Sequence, residues 1–513
     1  MLARCGGTTV SFERYTQMKY STTTVPLPDI HQGTHVRHTP FFFMSPQTLQ
    51  SLYRFKGVFR QTSAVLLSPL QSGDLTAPAD KQQAVAPVTF LVVCVSFTFI
   101  CDAISMRALV LLAAATACMA MPGPQSFPAS LPASRESDQT TLGNKIHELG
   151  MDVSLGLQKS GNVVVSPLSI SALLSVLMMG SAGRTHQELR RGLHVEDAHS
   201  ENDFHHSFQR LMEDISSDGP DVTLNIANGL FLQRGAGIIY NFTHKARTHY
   251  NSVVSTLDFN NSSVASTKTI NNWVNESTSG MIPNLLTQPL DPLTTFVAVN
   301  TVFFNGKWVT PFDPLMTTDM EFDTGAGKVQ VPIMSGTFAI NYINIPELKA
   351  HMAAFPYKGG RQAMYIILPR GQPIGNLEAL EQELSAEKIN SLIAKMRPLE
   401  MRVGLPRMRL SFKSSLRDTL KKLHMGSMFN PAAANFSRLT TLPVWVDDVV
   451  HETVIEVTEE GTKAAAATGA LSFRSGNSNI FFVNRPAIIF IRDEVSGVPL
   501  FWGKLVRPEP LRT

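Results

Sequence analysis

From about residue 139 onward, apolar positions recur with two different periods. Leu142, Ile146, Leu149, Val153 and Leu157 fall at helical spacing, so the folded region is expected to begin near Gln139. Ser166-Pro167 then gives a helix start. Serine can cap free backbone N–H groups, and proline is tolerated in a first turn that has no bond to lose. Ile170, Leu173, Leu174 and Leu177 extend that helix along one face, and Gly180 can end it. Phe296 to Phe304 is apolar on both faces, as in a strand covered from both sides, and Asn300 interrupts it. A buried amide of this kind needs hydrogen-bond partners. Further strands are predicted at Met364–Leu368, Thr453–Val457, Ala487–Ile491 and Leu500–Val506. Strands and helices mix without a βαβ repeat, which predicts an α+β fold and not a doubly wound sheet.

The stretch between Val457 and the apolar run Ile480–Val483 is unusual for its position. Loops between strands are short and carry Gly, Pro, Asn or Asp. Here about 20 residues pass without proline. Glu459, Glu460, Gly461, Thr462 and Lys463 lead into Ala464, Ala465, Ala466, Ala467, Thr468 and Gly469. In extended form Thr462, Ala464, Ala466 and Thr468 share one face, small enough to enter a packed interior, and Lys463 takes the other. Gly461 supplies a hinge because it has no Cβ to clash when the backbone swings. An alanine-rich linker or short helix has the same composition, so the pattern by itself leaves insertion and linker both open.

Composition adds limits. The chain has 513 residues, a net charge of +3 and 17% charged residues, which points to no nucleic-acid partner. Its four cysteines are Cys5, Cys94, Cys101 and Cys118, so the folded part holds together without disulfides or thiolate metal sites. Met1 to about Pro87 shows weak apolar periodicity. His31, His35 and His38 lie there without a second ligand cluster and read as part of a solvated tail. Hydrophobicity rises from Phe90 to Cys101, breaks at Asp102, and rises again over Ala108–Ala120 after Met106-Arg107. A basic residue, an apolar run and small residues before Met121 are the arrangement of a secretory signal peptide. The expected organisation is therefore a non-native or disordered extension (1–105), a signal peptide (106–120), a flexible lead-in (121–138) and a folded domain (139–509) of a secreted, extracellular protein. A membrane anchor across 88–120 is the competing reading, made costly by Asp102 and Arg107. Glycosylation sequons at Asn241, Asn260, Asn261, Asn275 and Asn435 fit an exported glycoprotein, with Asn260 and Asn261 too close for both to be used. Catalytic motifs are missing. His451-Glu452 opens like a zinc-protease motif, but Ile455 stands where the second histidine is needed. The chain reads as no enzyme and as needing no cofactor.

The segment Glu459–Thr468 resembles the reactive-loop hinge of the inhibitory serpins, a family of serine protease inhibitors. Val483-Asn484-Arg485-Pro486 and Pro499-Leu500-Phe501-Trp502-Gly503-Lys504 are similar to that family's C-terminal signature, in the same order and spacing. Asn162–Leu177 resembles the segment that opens the helix under the family's main sheet. The resemblance covers roughly 139–509 and implies the serpin fold: three β-sheets, eight or nine helices and an exposed reactive-centre loop. It places Asn300 near His451, Ser166 and Ser169 at the family's shutter, beneath the point where the sheet parts. It puts Trp308 at the top of that sheet, with Glu459 and Arg407 as an ion pair there, worth about 0–1 kcal/mol if largely exposed.

The activity implied is suicide inhibition. A serine protease attacks the loop, forms an acyl-enzyme through its own serine, and is carried along as the freed arm joins the sheet. The implied partner is that protease, in covalent complex with a monomeric inhibitor. Counting the family's spacing from both signatures puts Ser475 just before the cut, and Ser475–Gly476 would suit a small specificity pocket. Arg474 is the strongly discriminating side chain, since trypsin-like enzymes read arginine with a buried aspartate. Arg474–Ser475 is therefore preferred, and Ser475–Gly476 stays open. The stretch Glu201–Asp214 matches the family's heparin-binding helix but has Arg210 as its one Lys or Arg, which argues against heparin activation there. Ala487 stands where the family usually has Phe. A non-inhibitory serpin (carrier, storage protein or chaperone) shares the fold. Its hinge would carry bulky, charged or proline residues where this one has Thr and Ala.

Overall fold

The computed structural model describes residues 133–157, 161–198, 200–216, 221–371, 377–460 and 479–511, together with a short antiparallel pair, Arg4–Cys5 with Thr8–Thr9. The chain divides into two units, Met1–Ile104 and Ser105–Thr513. The first is described only by that strand pair, and the second holds every other described element.

Helix α1 (Ala133–Gly156) buries Leu142, Ile146, Leu149 and Val153, the residues whose spacing predicts it. It starts at Ala133, ahead of the expected start at Gln139 and inside the expected lead-in. The first turns carry Ser, Arg, Glu and Asp, so no apolar period announces them, and a helix nucleated by its packed part propagates into them at little cost. After β1 (Val163–Val165) comes α2 (Pro167–Gly180), capped by the Ser166 side chain, which accepts from the Ser169 N–H. Every residue of α2 is buried. Then come α3 (Gly183–Gly192), α4 (Glu201–Ile215), β2 (Val222–Gln233), α5 (Tyr240–Tyr250), β3 (Val253–Leu257), α6 (Phe259–Ser277) and β4 (Phe296–Gly306).

The remaining strands are β5 (Thr317–Asp323), β6 (Lys328–Ile345), β7 (Ala350–Pro356), β8 (Gln362–Pro369), β9 (Arg397–Pro406), β10 (Met408–Ser415), β11 (Asp448–Val457), β12 (Ile480–Phe482), β13 (Ala487–Asp493), β14 (Pro499–Leu505) and β15 (Glu509–Pro510). The helices α7 (Leu377–Gln382), α8 (Ala386–Lys395) and α9 (Arg417–Lys422) complete nine among the described residues.

Six strands form one sheet in the order β15-β10-β11-β4-β2-β3. The other nine form a continuous path, β12-β9-β6-β7-β8-β13-β14-β1, with β5 also on β6. The long strand β6 joins two parts of that path. Its first half pairs with β5 and its last residues with β7, while β9 runs along the other edge. The expected second and third sheets are thus continuous through one shared strand.

Strand β4 reads apolar on both faces because both faces are covered. Phe296, Ala298, Val302 and Phe304 belong to the main core, which includes α2. Val297, Val299 and Phe303 belong to a second cluster with Phe259, Ile270 and Val274 of α6. Among the described residues no helix is long and apolar enough to cross a bilayer, and the apolar stretch 88–120 lies outside them.

Candidate functional site: the central seam of the six-stranded sheet

At the centre of the six-stranded sheet β4 and β11 run parallel, paired from Asp448 opposite Val297 to Glu456 opposite Asn305. Their outer neighbours β2 and β10 are antiparallel to them. Both central strands therefore end at the same edge of the sheet, and the chain leaves β11 there to enter residues 461–478. A segment that turned back between β4 and β11 would be antiparallel to both. Antiparallel pairing is slightly more stable per residue than the parallel pairing it would replace, and the number of strand pairings rises by one.

Halfway along the seam, His451 lies directly opposite Asn300, and Asn300 lies directly opposite Asn228 on β2. The Asn300 amide is saturated. Its Nδ2 donates to the Ser169 carbonyl (3.1 Å) and to Asn228 Oδ1, and its Oδ1 accepts from Ser169 Oγ (2.8 Å) and from His451 Nδ1. The other ring nitrogen, His451 Nε2, accepts the Ser166 backbone N–H at 3.4 Å. One tautomer satisfies both contacts, with the proton on Nδ1. Full burial drives the His451 pKa down from 6.5 to about 3, so the ring is neutral. Thr453 Oγ1 adds a bond to the Val164 carbonyl (2.7 Å). Ser166, Ser169, Asn300 and His451 thus share one buried network, which straddles the two strands that insertion would separate.

At the upper end the strand pairing stops, and side chains take over. Trp308 Nε1 donates to the Thr458 carbonyl (2.9 Å), and the indole stacks on Tyr357 with ring centroids 4.5 Å apart. The Phe312 N–H donates to the Glu459 carbonyl (3.2 Å). Glu459 Oε1 accepts from Thr317 Oγ1 (2.7 Å), and Oε2 lies 3.3 Å from Arg407 Nε. This ion pair is not an exposed one. The Glu459 side chain is 7% exposed and Arg407 18%, with the Phe312 N–H and the Thr317 hydroxyl both bonded to Glu459. Buried so, the pair is screened little, and removing one partner strands the other.

The hinge residues Gly461, Thr462, Ala464, Ala465, Ala466, Ala467 and Thr468 lie outside the described residues, as do Arg474, Ser475 and Gly476. Of the sequons, Asn241, Asn260, Asn261 and Asn435 are exposed and Asn275 is half-buried. Asn261 spends its Nδ2 on the Asp258 carboxylate (3.1 Å) as part of the α6 cap, which leaves Asn260 the freer of that pair. The exposed positions of α4 include Asp203, Glu213 and Asp214 beside Arg210, an acidic surface on balance. Two partners escape the sequence reading. Asn228 carries the same signal as Asn300, an amide inside an apolar strand, and could have been found by it. Thr317 carries none. No group of three or more His, Cys, Asp or Glu is placed to hold a metal ion among the described residues.

Comparison with known proteins gives consistent matches. The family model described as Serpin (serine protease inhibitor) matches residues 147–508. The leukocyte elastase inhibitor of Xenopus tropicalis is 32% identical over 356 residues, 68% of this chain and 94% of that protein. Serpin B6 of Pongo abelii is 32% identical over 379 residues, 72% of this chain and 100% of that protein. Among solved structures, native protease nexin-1 with heparin aligns at a TM-score of 0.65 and 28% identity, over 72% of this chain and all of that one.

Proposed function

This chain belongs to the serpin family of serine protease inhibitors, and from that premise we propose that it traps its protease by inserting the arm after Gly461 into the seam between β4 and β11. The observation that carries this reading is the parallel pairing of those two strands, with the chain leaving β11 at the edge from which an arm could return. The sequence supplies a matching arm, with threonine and alanine on the face that would turn inward. Cleavage leaves the protease esterified to the freed arm. About 15 residues of new strand would move it by ~50 Å. At ~0.5–1.5 kcal/mol for each hydrogen bond gained, a full strand yields on the order of 10 kcal/mol. That is comparable to the stability of a typical domain, and enough to distort a protease active site.

Arg474–Ser475 is the bond assigned to this attack, for a trypsin-like protease. The elastase inhibitors among the relatives favour the neighbouring bond Ser475–Gly476, since a protease with a small specificity pocket accepts serine there. Export through the segment 106–120, with glycans on the exposed sequons, completes the reading. Incubation with trypsin-like and elastase-like proteases, followed by a denaturing gel and mass spectrometry of the released peptide, tests both parts. A detergent-resistant adduct whose released peptide begins at Ser475 supports the assignment. A first residue of Gly476 moves the bond, and cleavage without any adduct removes the inhibitory reading.

A further inference from the structure

Away from the seam, Arg184, Glu188 and Arg191 share one face of α3 by their spacing. Across from them stand Lys421 at the end of α9 and His424 in the turn after it. Between the two segments lies an open cleft of about 380 Å³, with Ser427 on its wall. Gly192 at the end of α3 packs directly against the Met425 side chain, next to His424. A Cβ on Gly192 would come within 2.2 Å of Met425 Sδ.

Glu188 is the one carboxylate among the lining residues, and both its oxygens are taken, by Arg184 Nε (2.7 Å) and the Ser427 N–H (2.8 Å). Burial pushes its pKa up, but these bonds outweigh it and hold the carboxyl below its usual value. The cations are less well matched. Arg191 meets Glu196 through Nε alone (3.1 Å), with both side chains about 60% exposed, and Lys421 stands 3.8 Å from an almost fully exposed Asp418. The His424 side chain has no partner among the described residues. Among the residues that line the cleft, Arg184, Arg191 and Lys421 carry positive charge and Glu188 alone carries negative charge. The lining therefore carries two more positive charges than negative ones, with His424 counted as neutral.

Guanidinium forks match the oxygen spacing of tetrahedral oxyanions, and a compact ammonium complements them. We propose that this cleft binds a sulfate or phosphate ester group, through Arg184, Arg191, Lys421 and His424. The site is distinct from the seam and from the acidic face of α4, and it does not rest on the inhibitory reading.

The full chain is tested with two probes, a fluorescent sulfated oligosaccharide and inorganic phosphate. Arg191→Gln with Lys421→Gln removes two cations at partly exposed positions and leaves Arg184 to hold Glu188, so the fold is retained; matching melting curves check this. Arg210→Gln on α4 is the control. At least one probe is expected to bind the wild type, and which one does identifies the ester. The sulfated probe should bind at about 50 mM salt and at least about tenfold more weakly at 200 mM. The double variant should lose about tenfold in affinity with a flatter salt dependence, and the control should match the wild type. Absence of binding by either probe, an unchanged double variant, or an equal loss in the control would each overturn the assignment.

Discussion

At Asn300 the chain holds a buried amide with all four of its hydrogen-bonding valences used, in register with His451 on one side and Asn228 on the other. Asn300→Ala would leave groups on Ser169, Asn228 and His451 unpaired in the interior. A loss of about 2–4 kcal/mol is expected in urea unfolding, and a loss under about 1 kcal/mol would mean that the partners pair with one another instead. His451 gives a pH signature. Its native pKa of about 3 lies below the ordinary 6.5, so between these values the unfolded chain takes up a proton that the native chain refuses. Its contribution is complete above the ordinary value and is lost as pH falls toward 3, at up to ~1.4 kcal/mol per pH unit. His147 and His351, also held near 3 by burial first and by nearby arginines second, act with the same sign. His451→Gln should therefore flatten the stability–pH curve by about that slope between roughly pH 6 and 4, and equal slopes would contradict the assignment. The sequence showed that Asn300 is buried and in need of partners. It could not show that Glu459 is buried, because a charged residue after a strand reads as exposed until the fold brings the Phe312 N–H and the Thr317 hydroxyl to it.

At the scale of elements, α2 was fully legible. Ser166, Pro167 and the apolar spacing to Leu177 are local signals, and the cap forms as they predict. The beginning of α1 was not, because its first turns extend a helix whose stability comes from packing further along. The pairing of β4 with β11 was also beyond local signals. About 140 residues separate the two strands, and period and propensity are blind to strand direction. That seam makes a demand on the arm that would enter it. Thr462→Arg places a charge on the inward face at the start of insertion. The variant should still be cut by its protease, but the covalent adduct should fall by at least about tenfold on a denaturing gel, since a buried unpaired charge costs several kcal/mol. Normal adduct yield would mean that Thr462 does not turn inward.

For the whole molecule, insertion predicts that the cleaved chain is the more stable one. A gain on the order of 10 kcal/mol over a domain of this size corresponds to a rise in melting temperature of about 10 °C or more. Calorimetry of intact and nicked protein reads this directly, and equal melting points would exclude insertion. The α+β class, the capped helix and the doubly covered strand Phe296–Phe304 were all legible in the sequence, because each depends on neighbours within a few turns or on strand alternation. Tertiary structure alone decided which strands lie side by side, that Glu459 and Arg407 are shielded from water, and that the cations of α3 meet those near α9. Those outcomes depend on residues more than 50 to 200 positions apart sharing one dielectric environment, and no local pattern carries that information.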